Sequence, residues 1–314
     1  MDRNLALELV RVTEAAALAA ARLQGKGDPI AADRAASAAM ELAIRNAKIT
    51  GHIVIGERDD IPDAVLGRGR TVGTGDEPEV DIALDPLEGM ASLADGQSNA
   101  ISAIALGPRG GFRYFDAPFM RKLAVSADAA DAIDIREPVF DTLVKIAGTK
   151  RVYVEDLTVA ILDCERHDTL IDEVRRAGAR IELVRDGDLA AAIAAALPGT
   201  GIDVMMGTGD TRQGVIAAAA LACIGGGFQG ELVRDDTGPH DGEGDYGRVF
   251  RAGDLTGGSN IMFAVTGVTR SAFLDGVSFR PGGAVTHSLV LRSRSGTIRT
   301  LRTEHFFDKE PDYT

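Results

Sequence analysis

Apolar residues at Leu5, Leu9, Val12 and Ala16 recur at helical spacing, which predicts a first helix stopped by Gly25. Asp28-Pro29 has the form of a second helix start, an acid to cap the open N–H groups and a proline at the first helical position. That helix is expected to reach Lys48 and to carry Asp33 in its first turns. The pattern then changes to the short unbroken apolar runs of buried strands. His52-Ile53-Val54-Ile55-Gly56 predicts a strand ending at Glu57, and Val80-Asp81-Ile82-Ala83-Leu84 a strand ending at Asp85-Pro86, with a polar, Gly-rich connection over 67–75. Further strands are expected at 100–106 and 122–125. From residue 158 the rhythm is strand 158–162, helix 167–177, strand 180–184, helix 189–196, strand 202–206 and helix 214–223. This alternation implies a parallel sheet with crossover helices, so the fold class is α/β. Residues 235–247 read as an acidic surface loop, and 260–266 and 286–291 as late strands.

Length allows one large α/β unit or two packed subdomains: 314 residues, 45% of them apolar. The net charge of -13 argues against nucleic acid as a partner, since a polyanion needs clustered Lys and Arg. It argues less against phosphorylated metabolites, because metal ions can supply positive charge locally. Cys164 and Cys223 have no metal-type spacing, and a reducing cytoplasm is expected. No apolar segment follows the charged start Met1-Asp2-Arg3-Asn4, and no apolar run is long enough for a membrane, so neither a signal peptide nor a membrane partner is expected. Gly225-Gly226-Gly227-Phe228-Gln229-Gly230 has the form of a dinucleotide loop but follows a helix, which makes it a helix stop and turn. The five histidines show no ligand spacing; His167 adjoins Arg166, and the rest read as structural.

Four carboxylates fall at element ends: Asp33, Glu57, Asp85 and Glu88. Ligand sites of α/β sheets collect where strands end in loops. Pro86 pins the chain and Gly89 permits a tight turn, so Asp85 and Glu88 can face one point. Hard oxygen donors of this kind suit Mg²⁺ or Mn²⁺, and two such ions about 4 Å apart can activate water and steady a leaving oxygen in phosphoryl transfer.

Asp85-Pro86-Leu87-Glu88-Gly89 resembles the Asp-Pro-Ile/Leu-Asp/Glu-Gly-Thr/Ser signature of the lithium-sensitive, metal-dependent phosphomonoesterases, and within them the chain is similar to the bacterial class II fructose-1,6-bisphosphatases. The likeness extends through Ile53-Val54-Ile55-Gly56-Glu57, Arg166-His167, Asp186-Gly187-Asp188, the stretch 264–269 and Gly296-Thr297-Ile298-Arg299. It implies a layered αβαβα sugar-phosphatase fold with two subdomains, 1–150 with the metal carboxylates and 151–314 with substrate contacts, and a site between them. It also implies a homo-oligomer and a sugar-phosphate substrate. The family's metal ligands fall on Asp33, Glu57, Asp85, Glu88 and, at its later glutamate, Gln213; its substrate contacts fall on Glu88, Gly89, Phe119, Lys122, Cys164, Arg166, Asp186, Gly187, Asp188 and Asp210.

Several of these positions depart from the family. Met90 replaces a threonine that helps orient the attacking water, and a thioether donates no hydrogen bond. Gln213 replaces a carboxylate, Asp210 a glycine, Phe119 a tyrosine and Cys164 a basic residue, while Arg34 follows Asp33 where the family has glycine. Arg34 and Asp210 are candidates for a new ion pair or a new substrate contact. Loss of one transition-state group commonly slows a reaction by roughly two to four powers of ten. The expected function is a divalent-metal sugar-phosphate phosphatase with an altered substrate. The alternatives are a non-hydrolytic enzyme, such as a lyase or epimerase on a phosphorylated sugar, and an inactive binding paralogue.

Overall fold

The computed structural model describes residues 5–57, 64–234, 245–258 and 260–308; most of the expected acidic loop, 235–244, lies outside them. The chain opens with helices α1 (Leu5–Ala21) and α2 (Pro29–Ile44). Asp28 caps α2 as expected: its side chain accepts the Ala31 N–H at 2.9 Å, and Pro29 stands where no N–H is needed. Strands β1 (Thr50–Ile55), β2 (Thr71–Val72) and β3 (Glu79–Glu88) follow, then the short helix α3 (Met90–Ala94) and β4 (Ile101–Gly107). The middle of the chain gives β5 (Phe119–Val125), α4 (Val139–Lys150), β6 (Thr158–Leu162), α5 (Asp168–Ala177) and β7 (Arg180–Val184). It continues with α6 (Asp188–Ala196), β8 (Val204–Asp210), α7 (Thr211–Ile224), β9 (Gly227–Val233), β10 (Val249–Arg251) and α8 (Ala252–Thr256). Strands β11 (Met262–Gly267), β12 (Ser278–Arg280), β13 (Gly283–Arg292) and β14 (Thr297–Phe306) complete it. No described helix is long and apolar enough to cross a membrane.

These elements form two compact units, Met1–Phe112 with Asn260–Thr314, and Arg113–Ser259. The division differs from 1–150 and 151–314 because strand pairing decides it. Strand β11 returns to lie beside β4, and β13 and β14 extend the same sheet.

The first unit holds an eight-stranded sheet in the order β12-β13-β11-β4-β3-β1-β2, with β14 on β13. Strands β1 and β3 are parallel, and the other pairings are antiparallel. Helices α1 and α2 bury Leu9, Val12, Ala16, Ala36, Met40 and Ile44 in one core with Ile53, Ile82, Leu84, Ile104 and Ala264. Each large apolar side chain buried in this way stabilises the unit by about 1.5–3 kcal/mol. Strand β3 does not end at Asp85-Pro86. It continues to Glu88, with a break in its register against β4 between Asp85 and Glu88, where Pro86 need not donate to the ladder.

The second unit holds a six-stranded sheet in the order β10-β9-β5-β8-β6-β7. The expected parallel arrangement is confined to β7, β6 and β8; β5, β9 and β10 pair antiparallel. Leu143 and Ile146 of α4 and Ile171 and Val174 of α5 pack on Leu123, Val125, Val159, Ile161 and Val204. Successive strand residues face opposite ways. Met120 and Lys122 therefore face the other side, where they meet Gly214 of α7. Helices on both faces of this sheet make the unit a layered α/β body.

Candidate active site

In the first unit, Ile55 of β1 pairs with Ala83 of the parallel β3, so Glu57 and Asp85 emerge at the same strand ends. Glu57 is buried, and its carboxylate accepts the Leu66 N–H. Asp85 is half-buried, with Oδ1 accepting the Leu87 N–H at 3.2 Å. Glu88 is buried at the end of β3. Gly89 then turns the chain into α3 at φ +86, and a Cβ there would stand 3.0 Å from Ala100 Cα, so the position requires glycine. Met90, the first residue of α3, packs on the unit's apolar core. Asp33 is half-buried in the early turns of α2. The donor chemistry of Asp33, Glu57, Asp85 and Glu88 fits a hard cation. The expected coordination shell is nevertheless not closed: among the described residues no group of three or more His, Cys, Asp or Glu side chains is arranged to hold a metal ion. Backbone N–H groups engage Glu57 and Asp85 instead.

In the second unit the candidates gather at the C-terminal ends of β6, β7 and β8, where open α/β sheets bind ligands. Lys122 is buried; its Nζ donates to the Asp188 carboxylate and to the Asp210 carbonyl, the latter at 2.9 Å. Gly209 makes room for this pair. A Cβ there would overlap Asp188 Oδ2 and lie 3.0 Å from Lys122 Nζ. The other Asp188 oxygen, Oδ1, is buried with no hydrogen-bond partner among the described residues. Asp186 Oδ1 accepts the Gly187 N–H at 3.0 Å, and Gly187, at φ +100, leads into α6.

Asp210 ends β8 and caps α7, accepting the Arg212 N–H at 2.7 Å and pairing with its guanidinium at 2.7 Å. Burial pushes the Asp210 carboxyl up, but Arg212, with Lys122 behind it, outweighs this and holds it below the usual carboxylate range. Asp210 thus forms an ion pair with Arg212. Gln213 lies half-buried in the first turn of α7.

Phe119, Cys164 and Arg166 form a second group. The exposed Arg166 guanidinium lies 5.1 Å from the Phe119 ring centre, and its Nε donates to Cys164 Sγ at 3.3 Å. His167 ties this group to the strand ends: Nδ1–H donates to Leu162 C=O at 2.8 Å, and Nε2 accepts the Thr208 N–H at 2.8 Å. Burial depresses the His167 pKa below its ordinary value, the Leu162 carbonyl opposes this, and the charge of Arg166 adds to the depression. Phe119 pairs with Asp210 across β5 and β8, so the two groups adjoin. Reasoning from sequence passed over Arg212 and Gly209. An oppositely charged residue two positions after Asp210, at a helix start, was the available sign of the first.

A sequence profile described as bacterial fructose-1,6-bisphosphatase, glpX-encoded, matches residues 3–305. The chain belongs to the class 2 fructose-1,6-bisphosphatase family. Within that family it is similar to the D-fructose 1,6-bisphosphatase class 2/sedoheptulose 1,7-bisphosphatase of Synechococcus elongatus, at 38% identity over 339 residues, covering 98% of each chain. It is similar to the Escherichia coli fructose-1,6-bisphosphatase 1 class 2 at 36% identity over 334 residues, covering 99% of this chain and 98% of that one. Within this class 2 family member, the metal-ligand positions expected from sequence fall in both units, Asp33, Glu57, Asp85 and Glu88 in the first and Gln213 in the second.

Proposed function

We propose that the chain is a divalent-metal-dependent phosphatase acting on a phosphorylated sugar. The observation that carries this reading is the emergence of Glu57 and Asp85 at the same ends of neighbouring parallel strands, with Glu88 and the Gly89 turn directly after. Asp33, Glu57, Asp85 and Glu88 of the first unit would hold Mg²⁺ or Mn²⁺. Bound there, the cation would neutralise phosphate charge and activate water. Its binding would compete with the Leu66 and Leu87 N–H groups for two of the carboxylates. In the hydrolysis a P–O bond to water replaces the P–O bond to the sugar, and a proton returns to the sugar oxygen. Arg166 offers N–H donors to the substrate, and Asp188 accepts from its hydroxyls. Neither Cys164 nor Cys223 is in a disulfide, which supports a reducing, cytoplasmic setting, and the family supports a homo-oligomer.

Phosphate release from a panel of sugar phosphates with Mg²⁺ or Mn²⁺ tests the reading, with the Glu57→Gln/Asp85→Asn double variant as control. Release no greater than that control rejects hydrolysis. Met90 favours a second reading, because a side chain packed on the core cannot orient water. A lyase or epimerase would alter the sugar skeleton or configuration, visible by phosphorus and carbon NMR. An inactive paralogue would show ligand-dependent thermal stabilisation without turnover.

A further inference from the structure

Strands β6 and β7 stay paired to their last residues, Leu162 with Val184. Strands β6 and β8 do not. Their parallel ladder joins Val159 to Val204 and Ala160 to Met205 and goes no further. Continued at that register, Leu162 would meet Gly207, so the ladder stops short of the C-terminal ends where open α/β sheets bind ligands. The His167 imidazole takes the missing place. Its Nδ1–H donates to the Leu162 carbonyl and its Nε2 accepts the Thr208 N–H, both at 2.8 Å, so the ring is a side-chain rung between the two strands. It is buried and rests on Gly207, where a Cβ would stand 3.1 Å from Cε1 and Nε2. One ring nitrogen donates and the other accepts, an arrangement the neutral imidazole provides and the imidazolium does not.

The residues beside the rung are fixed with it. His167 closes the single turn Glu165–His167; its backbone N–H donates to the Cys164 carbonyl at 2.8 Å, and Nδ1 lies 3.3 Å from Cys164 Sγ. Arg166 precedes it, with Nε donating to the same sulfur and the guanidinium over the Phe119 ring. Phe119 in turn pairs with Asp210 at the end of β8. We infer that His167 is a positioning residue for the reaction, a neutral imidazole rung that holds the ends of β6 and β8 at the spacing at which Arg166 receives a substrate phosphate. This rests on the phosphatase reading for turnover, but not for binding. Arg185 directly follows β7, so loss of the rung weakens phosphate binding rather than abolishing it. The titratable and charged groups around the ring are Arg166 and Cys164 on its own turn, Asp188 at the start of α6 and Lys122 on β5, the last two paired with each other. Protonation sets an N–H of the ring against the Thr208 N–H, so acid releases the rung.

The test uses the full chain: phosphate release from fructose 1,6-bisphosphate at saturating Mn²⁺, and calorimetric affinity for the same ligand in EDTA. His167→Ala is expected to raise KM and Kd about tenfold or more while kcat changes by less than about threefold, because Arg166 serves ground state and transition state alike. His167→Gln, whose amide offers one donor and one acceptor, is expected to recover most of that loss at about pH 8. From about pH 8 to about pH 5.5 the wild-type KM is expected to rise at least about threefold more than that of His167→Gln. In a cycle with Arg166→Ala, the second substitution is expected to add less than about threefold, since both remove one placed guanidinium. A folded His167→Ala with wild-type KM and Kd, additive losses in the cycle, or parallel pH profiles for wild type and His167→Gln overturns the inference. Should His167→Ala fail to fold, the pH profiles decide. The expected Kd pattern without any phosphate release supports the inference while removing the phosphatase reading, and a wild type that binds no bisphosphate overturns it.

Discussion

Lys122 and Asp188 are both buried and answer each other's charge inside the second unit. Replacing Lys122 by Met leaves Asp188 buried without its cation, which typically costs about 3–5 kcal/mol. Urea denaturation of Lys122→Met should show a loss of that size, and adding Asp188→Asn should recover most of it. A single-variant loss under about 1 kcal/mol would contradict the described burial. The sequence shows Lys122 as a cation suited to phosphate, because its partners come from residues 66 and 88 positions away. Asp85, Glu88 and Gly89 were legible for the opposite reason. Their meaning is local, a turn after an apolar strand, and the structure keeps the turn. What local spacing did not reveal is that backbone N–H groups already engage Glu57 and Asp85.

At the scale of elements, His167 joins the end of β6, through Leu162, to the end of β8, through Thr208. The ring must be neutral, since a protonated Nε2 cannot accept the Thr208 N–H. Its folded pKa is depressed below 6.5. The stability it contributes is therefore complete above the unfolded value and is lost as pH falls through the depressed folded value. Between about pH 7.5 and about pH 5 the wild-type Tm should fall more steeply than that of His167→Gln, whose amide does not titrate. Parallel curves would show that the ring is not held neutral. Strand β6 and helix α5 were readable because apolar periodicity reports burial directly. Strand β9 was not, since its polar residues Gln229 and Glu231 are buried by distant partners: Ile133 and Ile135 for the first, Arg121 and Arg136 for the second. Strand β14 has mostly exposed side chains, so its pairing along all ten residues of β13 leaves little trace in hydropathy.

Over the whole molecule, a net charge of -13 sets a repulsive field for any anionic substrate. Salt screens that field, so at saturating metal kcat/KM should rise about two- to fivefold between roughly 0.05 and 0.3 M ionic strength. A fall instead would mean that local positive charge governs capture. The unit boundary was the least legible feature of the sequence, because no change in composition marks the return of β11 to β4. That return also has a consequence for synthesis. Strand β4 is made early, yet its second neighbour consists of residues 262–267 and is followed by β13, so the edge of β4 stays open while the whole of Arg113–Ser259 is translated. The second unit can close its sheet from its own continuous segment, whereas the first must wait for β11 and β13. Strand β4, made before the second unit, is therefore completed after it, and its apolar edge needs protection from other nascent chains in the interval.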